Sequence, residues 1–144
     1  MVKDIVVALM KKYSTNCPYT IARELGIHIL YEPLDAIMGY FSQDFQIKFI
    51  HLNQDLNEDE LKFTCAHELG HAIMHPNINT HFLKRNTLFP VSKIEREAHI
   101  FAVELLLTDE LLRQYPECGL YNLAEKIGIP RKLADLKTFS RYLK

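Results

Sequence analysis

The residues with the clearest chemical meaning are His67, Glu68 and His71, which form a His-Glu-x-x-His pentad. On an α-helix, residues four apart lie on one face, so His67 and His71 can direct imidazole nitrogens at one metal ion. Glu68 lies about 60° around the helix from His71, close enough to take a proton from an attacking water. Two neutral imidazoles beside a carboxylate are typical of zinc hydrolases. The pentad therefore predicts a metallohydrolase, most often a peptidase, with Zn²⁺ as its cofactor.

The pentad requires a helix, and the flanking residues predict one from about residue 58 to residue 75. Asn57 is a good N-cap, and Glu60 occupies the N3 position, from which its carboxylate can reach the Asn57 amide. Pro76 cannot continue a helix, so the helix should end near His75. A capped helix around the pentad favours a metal site over a pair of structural histidines.

A catalytic zinc site usually has three protein ligands, so a third ligand must come from outside the pentad. The candidates are Cys65, His75, His81, Glu95, Glu97 and His99. His75 and Cys65 are weak candidates, because the pentad helix directs His75 away from the metal and places Cys65 on its other side. Residues 92–107 predict a second helix, whose core stripe consists of Ile94, Ala98, Phe101 and Leu105. Glu95 and Glu97 flank that stripe on opposite sides, and periodicity alone does not choose between them.

Two segments of the chain resemble the ImmA/IrrE family of small metallopeptidases. They are His-Glu-Leu-Gly-His-Ala-Ile-Met-His at 67–75 and Glu-Arg-Glu-Ala-His-Ile-Phe-Ala-Val-Glu-Leu-Leu-Leu at 95–107, and residues 21–27 are similar to the family's N-terminal region. The family's second helix carries a Glu-x-x-Ala-Asn motif. Related zinc peptidases use the first glutamate of a Glu-x-x-Ala-Asp motif as third ligand. The resemblance thus implies that Glu95 completes the metal site with the two histidines of the pentad.

Two positions depart from the family pattern. His99 stands where the family has the Asn or Asp that usually orients a ligating histidine, and Thr108 stands where it has a proline. An alternative for Glu95 is a capping box with Ser92, in which its carboxylate would bind the Ser92 amide and no metal. Glu97 could equally be a solvated helix charge. We favour Glu95 as the ligand on the family pattern.

The candidate site predicts the mechanism of a zinc peptidase. The metal would acidify the attacking water and polarise the scissile carbonyl. Glu68, the predicted catalytic residue, would take the proton and pass it to the leaving amine. A further polar group is needed, either to stabilise the oxyanion of the tetrahedral intermediate or to orient the metal ligands. The candidates for that group are Tyr40, His81, His99 and Tyr121, and the sequence does not choose among them.

The composition fits one domain, residues 1–144, in a reducing compartment. The three cysteines are an odd number without C-x-x-C spacing, which predicts free thiols rather than a disulfide frame or a cysteine zinc site. No apolar run reaches the length of a membrane span, and the N-terminal residues lack the pattern of a signal peptide. We therefore expect a cytoplasmic protein without a membrane partner.

The hydrophobic pattern predicts an α+β fold of the zincin-like type. Besides the two helices already described, helices are expected at 2–12 and 18–26, after Thr108, and as a C-terminal helical pair within 120–144. Short strands are expected at 27–31, 36–41 and 46–52, as a small antiparallel sheet packed on the helical core. In peptidases of this plan an edge strand can align the substrate. Residues 46–52 are our candidate for that strand, with an ordinary core strand as the alternative.

The resemblance implies a protein substrate, namely a cytoplasmic helix-turn-helix repressor, often one encoded by a mobile element. Two other classes stay open. One is a catalytically silent, metal-bound regulatory or interaction module, against which the intact Glu68 argues. The other is a DNA-binding regulator, because residues 120–144 resemble part of a helix-turn-helix and carry a net charge of +4 in a chain whose total is −1. Since the whole chain is mildly acidic, we do not expect a nucleic-acid partner. The oligomeric state stays open.

Overall fold

The computed structural model describes residues 1–79 and 91–138, and its elements confirm the predicted α+β fold. Its α-helices are α1 (Val2–Tyr13), α2 (Pro18–Glu24), α3 (Glu58–Met74), α4 (Val91–Leu106), α5 (Asp109–Gln114) and α6 (Leu120–Lys126). The strands β1 (His28–Glu32), β2 (Gly39–Asp44) and β3 (Ile47–Asn53) form one sheet, and a 3₁₀ helix (Arg131–Leu136) follows α6. Within the described ranges, no helix has both the length and the apolar character required to cross a membrane.

The sheet is mixed, so the prediction of an antiparallel sheet is wrong for one of its two strand pairs. β2 pairs antiparallel with β3, but β1 pairs parallel with β3, and the strand order is β1-β3-β2. The tight turn at Phe45 and Gln46, both with positive φ, makes β2 and β3 a hairpin. The longer connection between β1 and β2 instead leaves room for β3 between them. Because β3 is the central strand, both of its edges are paired with other strands. Residues 46–52 therefore form an ordinary core strand, the second of our two alternatives, and not an edge strand that could align a substrate.

The two faces of the sheet have different roles. Phe41, Ile50 and Leu52 are fully buried on the face that packs on the helices. On the opposite face, His51 Nδ1 lies 2.5 Å from Glu32 Oε1, and His51 Nε2 lies 2.8 Å from Ser42 Oγ. These contacts connect β1, β3 and β2 through one imidazole, which stabilises the pairing of three short strands.

Close packing of α4 on α3 places the second helix beside the pentad. A side-chain carbon at Gly70, inside the pentad, would lie 3.0 Å from the Cβ and Cγ of Phe101 on α4. Glycine at this position therefore allows the two helices to approach each other closely. The predicted core stripe of α4 is confirmed by the burial of its four members, Ile94, Ala98, Phe101 and Leu105.

The predicted C-terminal helical pair consists, in the described residues, of α6 and the 3₁₀ helix, and residues 139–144 lie outside the described ranges. After α6 the chain turns at Gly128, whose φ is +87° and where any Cβ would lie 2.5 Å from the Cβ of Asp59 on α3. The next element is a six-residue 3₁₀ helix, too short to serve as a recognition helix. Arg131 lies 3.2 Å from Glu125, and the buried Lys137 is paired with acidic side chains. Pairing of these cations within the protein weakens the DNA-binding alternative.

Candidate metal centre

The helix that carries the pentad begins with the predicted capping box. Asn57 Oδ1 accepts a hydrogen bond from the Glu60 amide at 2.8 Å, and Glu60 Oε1 accepts one from the Asn57 amide at 3.1 Å. The last helical residue is Met74, and His75 is the C-cap. Residues 63–72 are buried throughout, so neighbouring elements pack closely against the part of the helix that carries the pentad. The helix therefore holds the two histidines in a fixed register against α4.

The structure brings His67, His71 and Glu95 together. Glu95 Oε2 lies 3.1 Å from His67 Nε2, and Glu95 Oε1 lies 2.8 Å from His71 Nε2. One potential ligand atom from each residue lies within 4.8 Å of those of the other two. Both carboxylate oxygens of Glu95 face the imidazoles, which is the arrangement expected of a third ligand rather than of a helix cap.

The electrostatics of Glu95 fit a metal ligand. Burial alone raises the pKa of its carboxyl group, but hydrogen bonds from His67 and His71 outweigh burial and hold the pKa well below its usual range. The carboxylate is therefore ionised at neutral pH. Two imidazole nitrogens and one anionic oxygen are a common donor set for catalytic zinc. The residues present thus fit a zinc ion.

Glu68 lies beside this cluster, at the wall of a cavity of about 340 Å³. Its side chain is nearly fully buried, and its Oε2 is 3.9 Å from His67 Nε2. The cavity is also lined by residues 36–39, which lead into β2, and by Phe63 on α3. A peptide that entered this cavity would meet the carboxylate of Glu68 and the ligand cluster together.

Among the candidates for an oxyanion or supporting group, His99 is at the site. Its ring centroid lies 4.5 Å from that of His67, and it lines the same cavity. Burial and the neighbouring His67 lower the pKa of His99 to about 4. The imidazole is therefore neutral at pH 7 and offers one N–H donor and one acceptor.

The structure does not bring Tyr40 or Tyr121 to the cavity. The Tyr40 ring stacks on His51 at 4.0 Å, on the sheet face opposite the helices. Its position follows from the alternation of side chains along β2, since the preceding Gly39 faces Thr64 on α3. Tyr121 donates a hydrogen bond to Asp135 in the C-terminal segment. The remaining candidate, His81, lies outside the described residues.

The other candidate third ligands have different surroundings. Cys65 is fully buried in the core, where burial raises the pKa of its thiol. Glu97 Oε1 lies 3.1 Å from His75 Nε2, and His75 Nδ1 lies 3.4 Å from His71 Nδ1. Sequence reasoning treated His75 as a weak candidate ligand and Glu97 as a candidate ligand or a solvated helix charge, and it missed this connection to His71. The signal was present, because His71 and His75 are four residues apart on one helix.

Comparison with known proteins agrees with this geometry. The model of peptidase family M78, described as the IrrE N-terminal-like domain, matches residues 22–138. A protein of Bacillus phage phi105 named uncharacterized immunity region protein 2 is 45% identical over 143 residues, which cover 97% of this chain and 90% of that protein. Metallopeptidase ImmA of Bacillus subtilis (strain 168) is 33% identical over 115 residues, which cover 78% of this chain and 67% of that protein. The chain therefore belongs to the ImmA/IrrE family of metallopeptidases.

Proposed function

We propose that the protein is a zinc-dependent endopeptidase. The observation that carries this proposal is the convergence of His67, His71 and Glu95, with ligand atoms within 4.8 Å of one another. The same cavity is lined by Glu68, a carboxylate suited to proton transfer. Membership of a metallopeptidase family supports the reaction class.

The residues of the cavity have separate roles in this reaction. Bound zinc would supply a Lewis acid that lowers the pKa of water and polarises the peptide carbonyl. His67, His71 and Glu95 would hold it. Glu68 takes the proton of the attacking water and delivers it to the leaving amine. Residues 36–39 and Phe63 line the same cavity and would contact a peptide bound there.

His99 is our candidate for the group that stabilises the oxyanion. Stabilisation requires a hydrogen-bond donor placed where negative charge develops. A neutral imidazole at pH 7 has one N–H, which the backbone carbonyl of Glu95 accepts in this structure and which the oxyanion would have to share; the ring of His99 lines the cavity beside His67. An Asn at this position, as in the family pattern, would also offer an N–H donor. The variant His99→Asn should therefore retain more activity than His99→Leu.

The substrate that we propose is a cytoplasmic helix-turn-helix repressor. The ImmA/IrrE resemblance implies a substrate of this class, and the related phage protein is named for an immunity region. In the described part of the chain, the paired state of Arg131 and Lys137 favours recognition of a protein over recognition of DNA. The first repressor to test is one encoded by a neighbouring gene.

The test is incubation of the purified repressor with the protein, with and without a metal chelator. We expect one discrete cleavage, lost with chelator and restored by zinc in excess. The variant Glu110→Gln, which changes an exposed carboxylate on α5 paired with Arg113, is the control and should cleave like the wild type. Cleavage that survives complete removal of metal would contradict the proposal. Restoration only by a metal other than zinc would contradict its zinc part.

A further inference from the structure

We propose that His75 and Glu97 are positioning residues that hold His71 in the tautomer and orientation in which its Nε2 binds a metal ion. This inference rests on the proposed metal site and extends it to two residues that do not belong to the ligand cluster. His71 Nε2 faces Glu95 at 2.8 Å, and His71 Nδ1 faces His75 Nδ1 at 3.4 Å. His75 Nε2 in turn lies 3.1 Å from Glu97 Oε1. The three side chains form one line of contacts that ends at a carboxylate, which we call the His71 relay.

With a metal ion on His71 Nε2 and a neutral His75, the hydrogen bonds of the His71 relay would have one consistent direction. A glutamate carboxylate accepts hydrogen bonds, so His75 Nε2 must donate to Glu97. A neutral His75 with its proton on Nε2 has a lone pair on Nδ1, which can only accept. His71 Nδ1 must therefore carry the proton that His75 accepts. The carboxylate of Glu97 thus supports the metal-binding tautomer of an imidazole that it does not touch.

The direction matters because Glu95 favours the opposite tautomer. In the zinc-free protein, His71 Nε2 donates its proton to Glu95 Oε1 at 2.8 Å. An imidazole with a proton on Nε2 has no lone pair there for a metal ion. A metal ion that replaced this proton would leave His71 with its proton on Nδ1, and His75 supplies the acceptor for that proton. Hydrogen-bonded partners of this kind commonly orient metal-ligating histidines.

The surroundings of the relay support a defined geometry. His71 is fully buried, and the side chain of His75 is 12% exposed. Glu97 is more exposed, at 36%, and is held against His75 from the neighbouring helix α4. Glu95 and Glu97 therefore both approach His71 from helix α4. Glu95 faces Nε2 of His71 directly, whereas Glu97 contacts His75, which in turn contacts Nδ1 of His71. Glu97, which we considered as a competing ligand, thus acts on His71 through the imidazole of His75.

The first test is the zinc dissociation constant, measured by competition with a chromogenic chelator. His75→Phe keeps an aromatic ring and removes the acceptor, so we expect zinc binding to weaken about 10- to 100-fold. His75→Gln retains an amide oxygen that can accept from His71 and should recover part of that loss. Glu97→Gln should weaken binding less than His75→Phe, because an amide oxygen still accepts from His75. Glu110→Gln is the matched control and should bind zinc like the wild type.

The second test follows the Nδ1 proton of His71 in the zinc-loaded protein, by ¹H–¹⁵N spectra of the imidazole nitrogens. We expect slow exchange of this proton with solvent in the wild type and faster exchange in His75→Phe, with the unfolding transition of both proteins recorded to show that they are folded. Unchanged zinc affinity in His75→Phe, or equal proton exchange in the two proteins, would overturn the relay. Zinc binding that depends on His75 in a protein that cleaves no repressor would instead contradict the proposed function alone.

Discussion

Two glutamates of α4, Glu95 and Glu104, differ in a way that separates function from stability. Both are at least partly buried and both contact side chains from distant parts of the chain. Glu104 accepts from Lys137 Nζ at 2.6 Å and from the Thr138 amide at 2.9 Å. Glu95 contacts two imidazoles, whose nitrogens can bind a metal in place of a proton. Burial of a glutamate therefore does not indicate a site, whereas the chemistry of its partners does.

Glu104 belongs to a cluster of charged side chains that connects both ends of the described chain. We call it the Glu104 cluster, and its members are Lys3, Glu104, Asp109 and Lys137. Lys137 Nζ also lies 2.8 Å from Asp109 Oδ1 on α5, and Lys3 Nζ on α1 lies 2.9 Å from the same oxygen. Lys3 additionally donates to the carbonyl of Thr138. Each carboxylate has a cation beside it, so the charges are balanced by protein groups alone. The cluster holds α1, α4, α5 and the C-terminal segment together.

The largest effect on folding should come from Lys137. Replacement by Met leaves the buried Glu104 without its cation, and the free energy of unfolding should fall by about 3–5 kcal/mol in denaturant titrations. The exposed Lys132→Met is the control and should change stability by less than about 0.5 kcal/mol. In the double variant Lys137→Met with Glu104→Leu, much of the loss should be recovered, because no unpaired charge is left. Equal stability of Lys137→Met and Lys132→Met would contradict a structural role for this pair.

A second prediction separates the two glutamates by the response to zinc. Zinc at about 100 times its dissociation constant should stabilise the wild type by about 2.7 kcal/mol, because it binds the folded state. Glu104→Gln should start from a lower stability but gain nearly the same amount from zinc. Glu95→Gln should gain little at that concentration, since one ligand is weakened. An equal gain in all three proteins, measured by thermal unfolding with and without zinc, would remove Glu95 from the site.

The alternative ligand Glu97 gives a sharper version of the same comparison. Glu97→Ala should retain zinc at saturating concentration, whereas Glu95→Ala should lose it. Elemental analysis after dialysis against buffer with excess zinc and then brief desalting measures both. Zinc retained in Glu95→Ala and lost in Glu97→Ala would reverse our assignment of the third ligand.

The smallest predicted effect is the pH dependence of the Glu104 cluster. Burial raises the pKa of Asp109, but hydrogen bonds from Lys137 and Lys3 outweigh it and lower the pKa below its usual value. A lowered folded-state pKa stabilises the protein above the unfolded-state pKa of about 3.9, and this stabilisation is lost as the pH falls through the folded-state value. Asp109→Asn should therefore cost about 1.5–3 kcal/mol at pH 7. Urea titrations should show that this difference shrinks below about pH 4. A difference that is independent of pH would contradict the ion pairs.

Local features of the molecule could be predicted from the sequence, because their determinants lie a few residues apart. The capping box of Asn57 and Glu60, the end of α3 before Pro76 and the core stripe of α4 are examples. The site cluster also follows from local patterns, since the pentad and Glu95 each occupy a recognisable helix. The family resemblance was still needed to favour Glu95 over Glu97, because both flank the core stripe of one helix.

Features that depend on contacts between distant residues could not be predicted in the same way. The parallel pairing of β1 with β3 depends on how the connection between β1 and β2 crosses the sheet, which strand patterns do not encode. Lys137 and Glu104 are separated by 33 positions, and although Glu104 lies in an apolar run, nothing in the sequence identifies Lys137 as its partner. The His71 relay needs α4 to lie against the end of α3. Such contacts follow from the packing of whole elements rather than from periodicity.

We propose that Glu68 performs proton transfer beside a metal ion that His67, His71 and Glu95 would hold. The most direct measurement is the rate of repressor cleavage by zinc-loaded wild-type protein and by Glu68→Gln with the same zinc content. Loss of a general base should lower the rate about 10²- to 10⁴-fold with little change in zinc affinity. Cleavage by zinc-loaded Glu68→Gln at the wild-type rate would contradict the account.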